Sequence, residues 1–146
     1  MKAILAIDQG TTSTRAIAFS TDGKKLFSSQ LEFKQYFPNE GWVEHNATEI
    51  WDDVRNLISK ILRKNKLNSK NIISIGITNQ RETTVLWNKK TGKPVYRAIV
   101  WQDRRTTKLC EKLKKQEINK KIQKITGLEV DPYFSGTKIN PTCSPS

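Results

Sequence analysis

The sequence predicts an α/β fold. Three observations carry that reading. Short β runs joined by tight turns fill the first quarter of the chain, one long amphipathic helix follows them, and an almost continuously apolar strand follows the helix.

Each element has a local reason. Residues 2–7 are an apolar run that ends at Asp8-Gln9-Gly10, and residues 15–19 form a second short strand. Thr21-Asp22-Gly23-Lys24 centres on Asp-Gly, a strong hairpin signal. Residues 26–33 follow as a third strand, with Leu31 and Phe33 in period-2 alternation, before the loop Pro38-Asn39-Glu40-Gly41. Asn46 or Thr48 then caps a helix whose Ile50, Val54, Leu57, Ile58, Ile61 and Leu62 fall on one face. Acids (Glu49, Asp52, Asp53) sit early in it and bases (Lys60, Arg63, Lys64, Lys66) late, matching the helix dipole.

Residues 71–77 read as a central buried strand. Residues 83–87 and 95–101 read as two more strands, joined through Asn88-Lys89-Lys90-Thr91-Gly92-Lys93-Pro94. Asp103 is expected to cap a basic helix that turns Leu109, Cys110 and Leu113 inward. A second helix is expected over 117–125, stopped by Gly127. Asn140-Pro141-Thr142-Cys143-Ser144-Pro145-Ser146 has no periodicity and reads as a loose tail.

Composition bounds the function. With 146 residues the chain has one domain's length, and 36% hydrophobic against 27% charged residues excludes wholesale disorder. No apolar run approaches the roughly 20 residues that span a bilayer. The apolar start is too short for a secretory signal, so a cytoplasmic protein is expected, without membrane contact. Cys110 and Cys143 are far apart, form no metal pattern, and suit free thiols in a reducing compartment. The net charge is +12, from 26 Lys+Arg and 14 Asp+Glu. Residues 104–124 hold nine bases against Glu111 and Glu117, so that stretch alone supplies 9 − 2 = +7. It reads as a solvated helix face; the alternative is a phosphate-binding stripe, but no aromatic lies within it to stack bases.

The sharpest chemical signal is Asp8-Gln9-Gly10-Thr11-Thr12-Ser13-Thr14-Arg15. An acid ends a strand, glycine permits a tight turn, and hydroxyl residues follow. Backbone N–H groups at such a turn make an anion nest, and the hydroxyls add donors. Asp8 suits Mg²⁺, and Arg15 suits phosphate charge. By composition alone this is also an ordinary hairpin turn. The common phosphate loops are absent: there is no G-x-G-x-x-G, and Pro94 follows Gly92-Lys93 where a hydroxyl residue belongs.

Five segments in order resemble the glycerol kinases, members of the sugar-kinase family with the actin-like ATPase fold. They are Asp8-Gln9-Gly10-Thr11-Thr12-Ser13; Gly41-Trp42-Val43-Glu44-His45; Gly76-Ile77-Thr78-Asn79-Gln80-Arg81-Glu82-Thr83; Ala98-Ile99-Val100-Trp101-Gln102-Asp103-Arg104-Arg105-Thr106; and Thr126-Gly127-Leu128 with Asp131-Pro132-Tyr133-Phe134-Ser135-Gly136-Thr137-Lys138. The first is shared widely among sugar kinases; the third and the last are the specific ones. The resemblance implies a ribonuclease H-like, actin-like ATPase N-terminal domain over residues 1–138, a mixed sheet with flanking helices, incomplete, followed by a divergent disordered tail over 139–146.

It also implies a function: transfer of the ATP γ-phosphate to glycerol, giving glycerol 3-phosphate, with Mg²⁺. Thr11, Thr12, Ser13 and Arg15 would meet the nucleotide phosphates, with Asp8 near the metal. Arg81, Glu82 and Tyr133 would bind glycerol hydroxyls, and Trp101 would offer an apolar face to its carbons. Taken singly, Arg81 and Glu82 also read as an exposed pair, Trp101 as core and Tyr133 as a loop anchor. The lone His45 reads as part of the helix-entry loop.

In that family the base is an Asp in a Gly-Asp-Gln segment, which this sequence lacks, and the second, adenine-holding domain is missing as well. No catalytic residue is therefore assigned, and the chain alone is expected to be inactive. Residues 140–146 read as an altered or prematurely ended frame, or a gene-calling artefact. Two other readings stand beside this one: an interaction half that pairs with a separately encoded C-terminal half, and a basic nucleic-acid-binding protein.

Overall fold

The computed structural model describes residues 1–143, with side chains through residue 139. The chain divides into two compact units: residues 1–34 with 48–80, and residues 35–47 with 81–146. None of the described helices is long and apolar enough to cross a membrane.

The first unit is a mixed sheet backed by a helix. Strands β1 (Ala3–Gln9), β2 (Ser13–Phe19), β3 (Lys25–Glu32) and β5 (Ile72–Thr78) lie in the order β3-β2-β1-β5. The β1–β2 and β2–β3 pairs are antiparallel and β1–β5 is parallel. The Asp-Gly turn forms between β2 and β3, where Gly23 takes φ 83° and Ser20 N–H donates to Lys24 O at 2.9 Å. Helix α1 (Ala47–Lys64) supplies Leu57 and Ile61, which pack with Leu5, Ala16 and Ala18. All six apolar positions expected on one face of α1 are at least partly buried. A single 3₁₀ turn, Ser69–Asn71, leads into β5 and is closed by a capping box between Asn68 and Asn71.

One expectation is corrected here. β5 is an edge strand, not a central one, and Ile73, Ile75 and Ile77 are 51, 54 and 71% exposed. Continuous apolarity marks a strand that wants cover on both faces; it does not say whether the cover is present. Ile75 and Ile77 pair in register with Leu5 and Ile7, so they share the face that α1 covers over β1 but leaves open over β5.

The second unit is built on β4 (Glu44–His45) and β6 (Ala98–Ile99), an antiparallel pair. Residues 83–87 and 95–101 were expected as two full strands. Only β6 forms a ladder, supplemented by the bridges Thr84–Ile99 and Trp87–Pro94. Pro94 brings no N–H to that pairing, and Asn88 and Gly92 spend their hydrogen bonds on the turn itself. Helices α2 (Thr107–Lys114), α3 (Glu117–Thr126) and α4 (Ser135–Cys143) follow. Gly127 ends α3 at φ 73°, as expected of a glycine stop.

Asp103 does not cap α2. The helix starts at Thr106 without a side-chain cap, and Asp103 is buried in an ion cluster. An N-cap acid and a buried ion-pair acid look alike in sequence; here Arg105, two residues on, claims the carboxylate. The expected tail is also partly regular, since the backbone of α4 runs to Cys143. Proline's fixed φ is itself helical, so Pro141 near the end of α4 costs one backbone bond rather than the helix. Residues 144–146, and the Cys143 side chain, lie outside what is described.

Candidate functional site

In the first unit the β1–β2 turn presents the phosphate-type residues. Gly10 N–H donates to Ser13 O at 3.0 Å and closes the turn. A Cβ at Gly10 would stand 3.1 Å from that same carbonyl, which explains glycine there. Thr14 is fully buried and its hydroxyl donates to Gln9 Oε1 at 2.8 Å, so it belongs to the scaffold. Thr12 is exposed, Thr11 and Ser13 are half-buried, and Arg15 is exposed.

Gln30 on β3 braces this turn. Its amide donates to Ser13 Oγ at 2.9 Å, and its carbonyl accepts from Arg15 Nε at 2.9 Å. By accepting, Ser13 keeps its own O–H to donate. Asp8 pairs with Arg15 across the β1–β2 ladder. No cluster of three or more His, Cys, Asp or Glu occurs among the described residues. One strand-end carboxylate is the donor set that suits Mg²⁺, which completes its shell with phosphate oxygens and water rather than a protein cage.

In the second unit, Glu82, Trp101 and Tyr133 come together. The Trp101 and Tyr133 rings lie 5.9 Å apart, edge to face at 61°. Phe134 stacks edge-on against Tyr133 at 5.1 Å. Glu82 holds φ 59°, a left-handed conformation that a non-glycine residue adopts at a cost. Its Oε2 is 3.4 Å from the Ser135 hydroxyl, and its carbonyl accepts from Lys138 Nζ at 2.9 Å. The same ammonium donates to Tyr133 O at 2.6 Å. Burial pushes the Lys138 ammonium down to about 8, against the pull of Asp103, Glu82 and Asp131. Arg81, next to Glu82, is exposed.

A buried ion cluster lies two residues beyond Trp101 in the chain. Arg105 donates to Asp103 Oδ1 and Oδ2 at 2.9 and 2.8 Å and to Glu44 Oε1 at 2.7 Å. Tyr96 OH donates to Glu44 at 2.9 Å, and Asp103 accepts from Val43 N–H at 2.7 Å. The guanidinium lies over the Trp42 ring at 3.8 Å. Burial works against its charge, but the two carboxylates outweigh burial and hold its pKa above the usual arginine value. The segment Gly41-Trp42-Val43-Glu44-His45 thus acts as a scaffold. His45, expected in the helix-entry loop, instead lies in β4, fully buried with Nε2 2.6 Å from Gln35 Oε1.

Sequence reasoning passed over Gln30, Ser135 and Lys138. Ser135 and Lys138 stood inside the quoted Ser135-Gly136-Thr137-Lys138 segment, yet a lysine carries no signal of burial. A cavity of about 510 Å³ is lined mainly by apolar side chains, among them Leu109, Leu113, Ile122, Leu128, Val130 and Phe134, with Thr126, Glu129, Asp131 and Thr137 also on its wall. The basic residues of α2 and α3 are exposed, as expected of solvated helix faces.

Residues 3–140 match the FGGY family of carbohydrate kinases, N-terminal domain. The chain is 56% identical over 136 residues to the glycerol kinase of Bacillus subtilis, covering 93% of this chain and 27% of that protein. It is 58% identical over 139 residues to the glycerol kinase of Sinorhizobium fredii, covering 94% and 28%. Among solved structures it is similar to a Plasmodium falciparum glycerol kinase with ADP, at TM-score 0.88 and 40% identity, covering 95% of this chain and 28% of that one. A ligand-bound xylulose kinase from Lactobacillus acidophilus shares the fold at TM-score 0.88 and 21% identity, covering 99% and 29%. The chain therefore spans a little over a quarter of the length of these relatives, and its mixed α/β fold is that of the actin-like sugar kinases. A match running from residue 3 to residue 140 leaves one assignment: the chain belongs to the FGGY family of carbohydrate kinases, within its N-terminal domain.

Proposed function

We propose that this chain is the phosphate-turn and polyol-binding part of an ATP-dependent glycerol kinase. The observation that carries the reading is that one buried ammonium joins Glu82 to Tyr133, whose ring meets Trp101. A triol needs donors, acceptors and an apolar face together. Arg81 would donate to glycerol hydroxyls, the Glu82 carboxylate would accept, and the Tyr133 hydroxyl would add a further contact. Trp101 would cover the carbon chain. A site of this kind discriminates against analogues that lack a hydroxyl, because its polar groups would go unpaired once the ligand covers them.

Thr11, Thr12, Ser13 and Arg15 would receive the nucleotide phosphates. Asp8 would hold Mg²⁺, which when bound neutralises phosphate charge during transfer. Phosphoryl transfer depends chiefly on such positioning, and on a base for the hydroxyl proton. The sequence has no Gly-Asp-Gln segment to offer that base. We therefore expect the 146-residue chain to bind without turnover, and to gain activity only with polypeptide that carries such an Asp, for example a separately encoded C-terminal half. The buried thiol of Cys110 suits a reducing cytoplasm.

The test is a ¹H–¹⁵N spectrum of the chain during titration with glycerol. Shifts at Arg81, Glu82, the Trp101 indole and the residues around Tyr133 are expected. Saturating glycerol with none of these signals moving would overturn the reading. Mixing the chain with a relative's C-terminal portion should restore glycerol-dependent ADP release; no gain over either part alone would remove the complementation claim.

A further inference from the structure

Lys138, in the last quoted motif, is given no role toward the ligand in the function above. It is fully buried. Taking an ammonium out of water is expensive, and a packed apolar side chain of the same length would fill the space without that cost. What the ammonium adds is directional bonding. It donates to Glu82 O at 2.9 Å and to Tyr133 O at 2.6 Å. Glu82 is 56 residues from Lys138 and Tyr133 only five, so the ammonium ties a distant segment to its own neighbourhood.

Both bonded residues carry ligand-facing chemistry. Glu82 sits at φ 59°, a conformation its own backbone does not prefer, so something must hold it there. Lys138 fixes its carbonyl, and Ser135, three residues earlier on α4, reaches its carboxylate. Tyr133 lies edge-on to Trp101, so fixing the Tyr133 backbone also sets the ring pair.

We propose that Lys138 is a positioning residue for the polyol, its ammonium tying the Glu82 backbone to the Tyr133 loop so that carboxylate and ring pair meet one ligand. The inference rests on the glycerol reading above. It assigns α4 a part in substrate selection: moving Ser135 and Lys138 would move the carboxylate and the aromatic wall together.

The experiment compares the whole chain with its Lys138→Met, Lys138→Gln and Lys138→Arg variants. Glycerol affinity is read from the Glu82 and Trp101 indole signals, and the ring contact from cross-peaks between Trp101 and Tyr133. Lys138→Met should stay folded by circular dichroism, lose the ring cross-peaks and bind glycerol at least about tenfold more weakly, the loss expected of one charge-assisted hydrogen bond. Lys138→Arg, which keeps charged donors, should recover part of that loss. A folded Lys138→Met that binds within about twofold of the parent, with the ring cross-peaks intact, overturns the proposal. Should Lys138→Met fail to fold, Lys138→Gln decides by the same two criteria. If neither folds, Lys138 is a stability residue and the proposal falls. A parent chain that shows no glycerol shifts overturns the glycerol reading and this inference together, whereas parent binding with an unaffected variant overturns this inference alone.

Discussion

Arg105 Nη2 stands 2.7 Å from Glu44 Oε1, with the two side chains only 4 and 2% exposed. This pair, with Asp103, joins the strand β4 to the start of α2 and backs the loop that carries Trp101. A buried charge with one partner removed is costly, because the other is left without compensation. Glu44→Gln keeps the shape and removes the charge. It should lower stability by about 1.5–3 kcal/mol, the range for hydrogen bonds to charged groups, read from the urea midpoint. Adding Arg105→Met to it should cost less than the sum of the two single changes.

Glu82 sits in a strained backbone conformation at the proposed polyol site. Its left-handed backbone suits glycine better than glutamate. Glu82→Gly should leave the melting temperature unchanged or raise it, by up to about 1 kcal/mol in stability, because relieved strain offsets the added freedom of the unfolded chain. The same variant should lose the glycerol-dependent shifts at Trp101. A clear drop in stability would show that the carboxylate, rather than the backbone, governs this position.

Gly10 should tolerate no side chain without loss. An added Cβ would press on Ser13 O at 3.1 Å, the acceptor that closes the β1–β2 turn proposed to meet phosphate. Gly10→Ala should therefore weaken pyrophosphate or ATP binding while costing only about 1 kcal/mol of stability, both measurable in one calorimeter series.

Lys138 gives stability a pH signature. Its folded pKa of about 8 lies below the free value of 10.5, so between these the unfolded chain binds the extra proton. The sign follows: stability from this group is lowest below pH 8 and rises as pH climbs from 8 towards 10.5, by at most about 1.4 kcal/mol per pH unit. Subtracting a Lys138→Met series isolates it from the other lysines. A difference that is flat, or that falls with pH, would contradict the buried-ammonium account.

Much of this was legible in the sequence. Helix α1 shows in the spacing of Ile50 to Leu62 because an amphipathic face repeats every turn. Gly23 and Gly127 announce their turns because only glycine adopts those angles cheaply. The phosphate turn and the Arg81-Glu82 pair are local strings, so they are visible in one dimension. Lys138 was not, because its burial is created by Glu82 and Tyr133, neither of which lies beside it. Asp103 is hidden in part for the same reason: Arg105 is two residues away, but Val43, which also donates to its carboxylate, is 60 residues away. The position of β5 was hidden as well, since apolar spelling is the same for a centre and an edge.

The open face of β5 sets how the protein behaves in solution. Ile72–Thr78 carries no charge to discourage a neighbouring edge, and three of its isoleucines meet water. Against association of this chain stands the long-range repulsion of +12 charges per molecule. That repulsion weakens as ionic strength rises, its reach shrinking to about 10 Å at 0.1 M salt, while apolar attraction does not. Electrostatic repulsion is therefore expected to govern the colloidal stability of this chain. Light scattering should find it monodisperse in dilute buffer and clustering as salt is added, and Ile77→Lys should carry the dispersed state to higher salt.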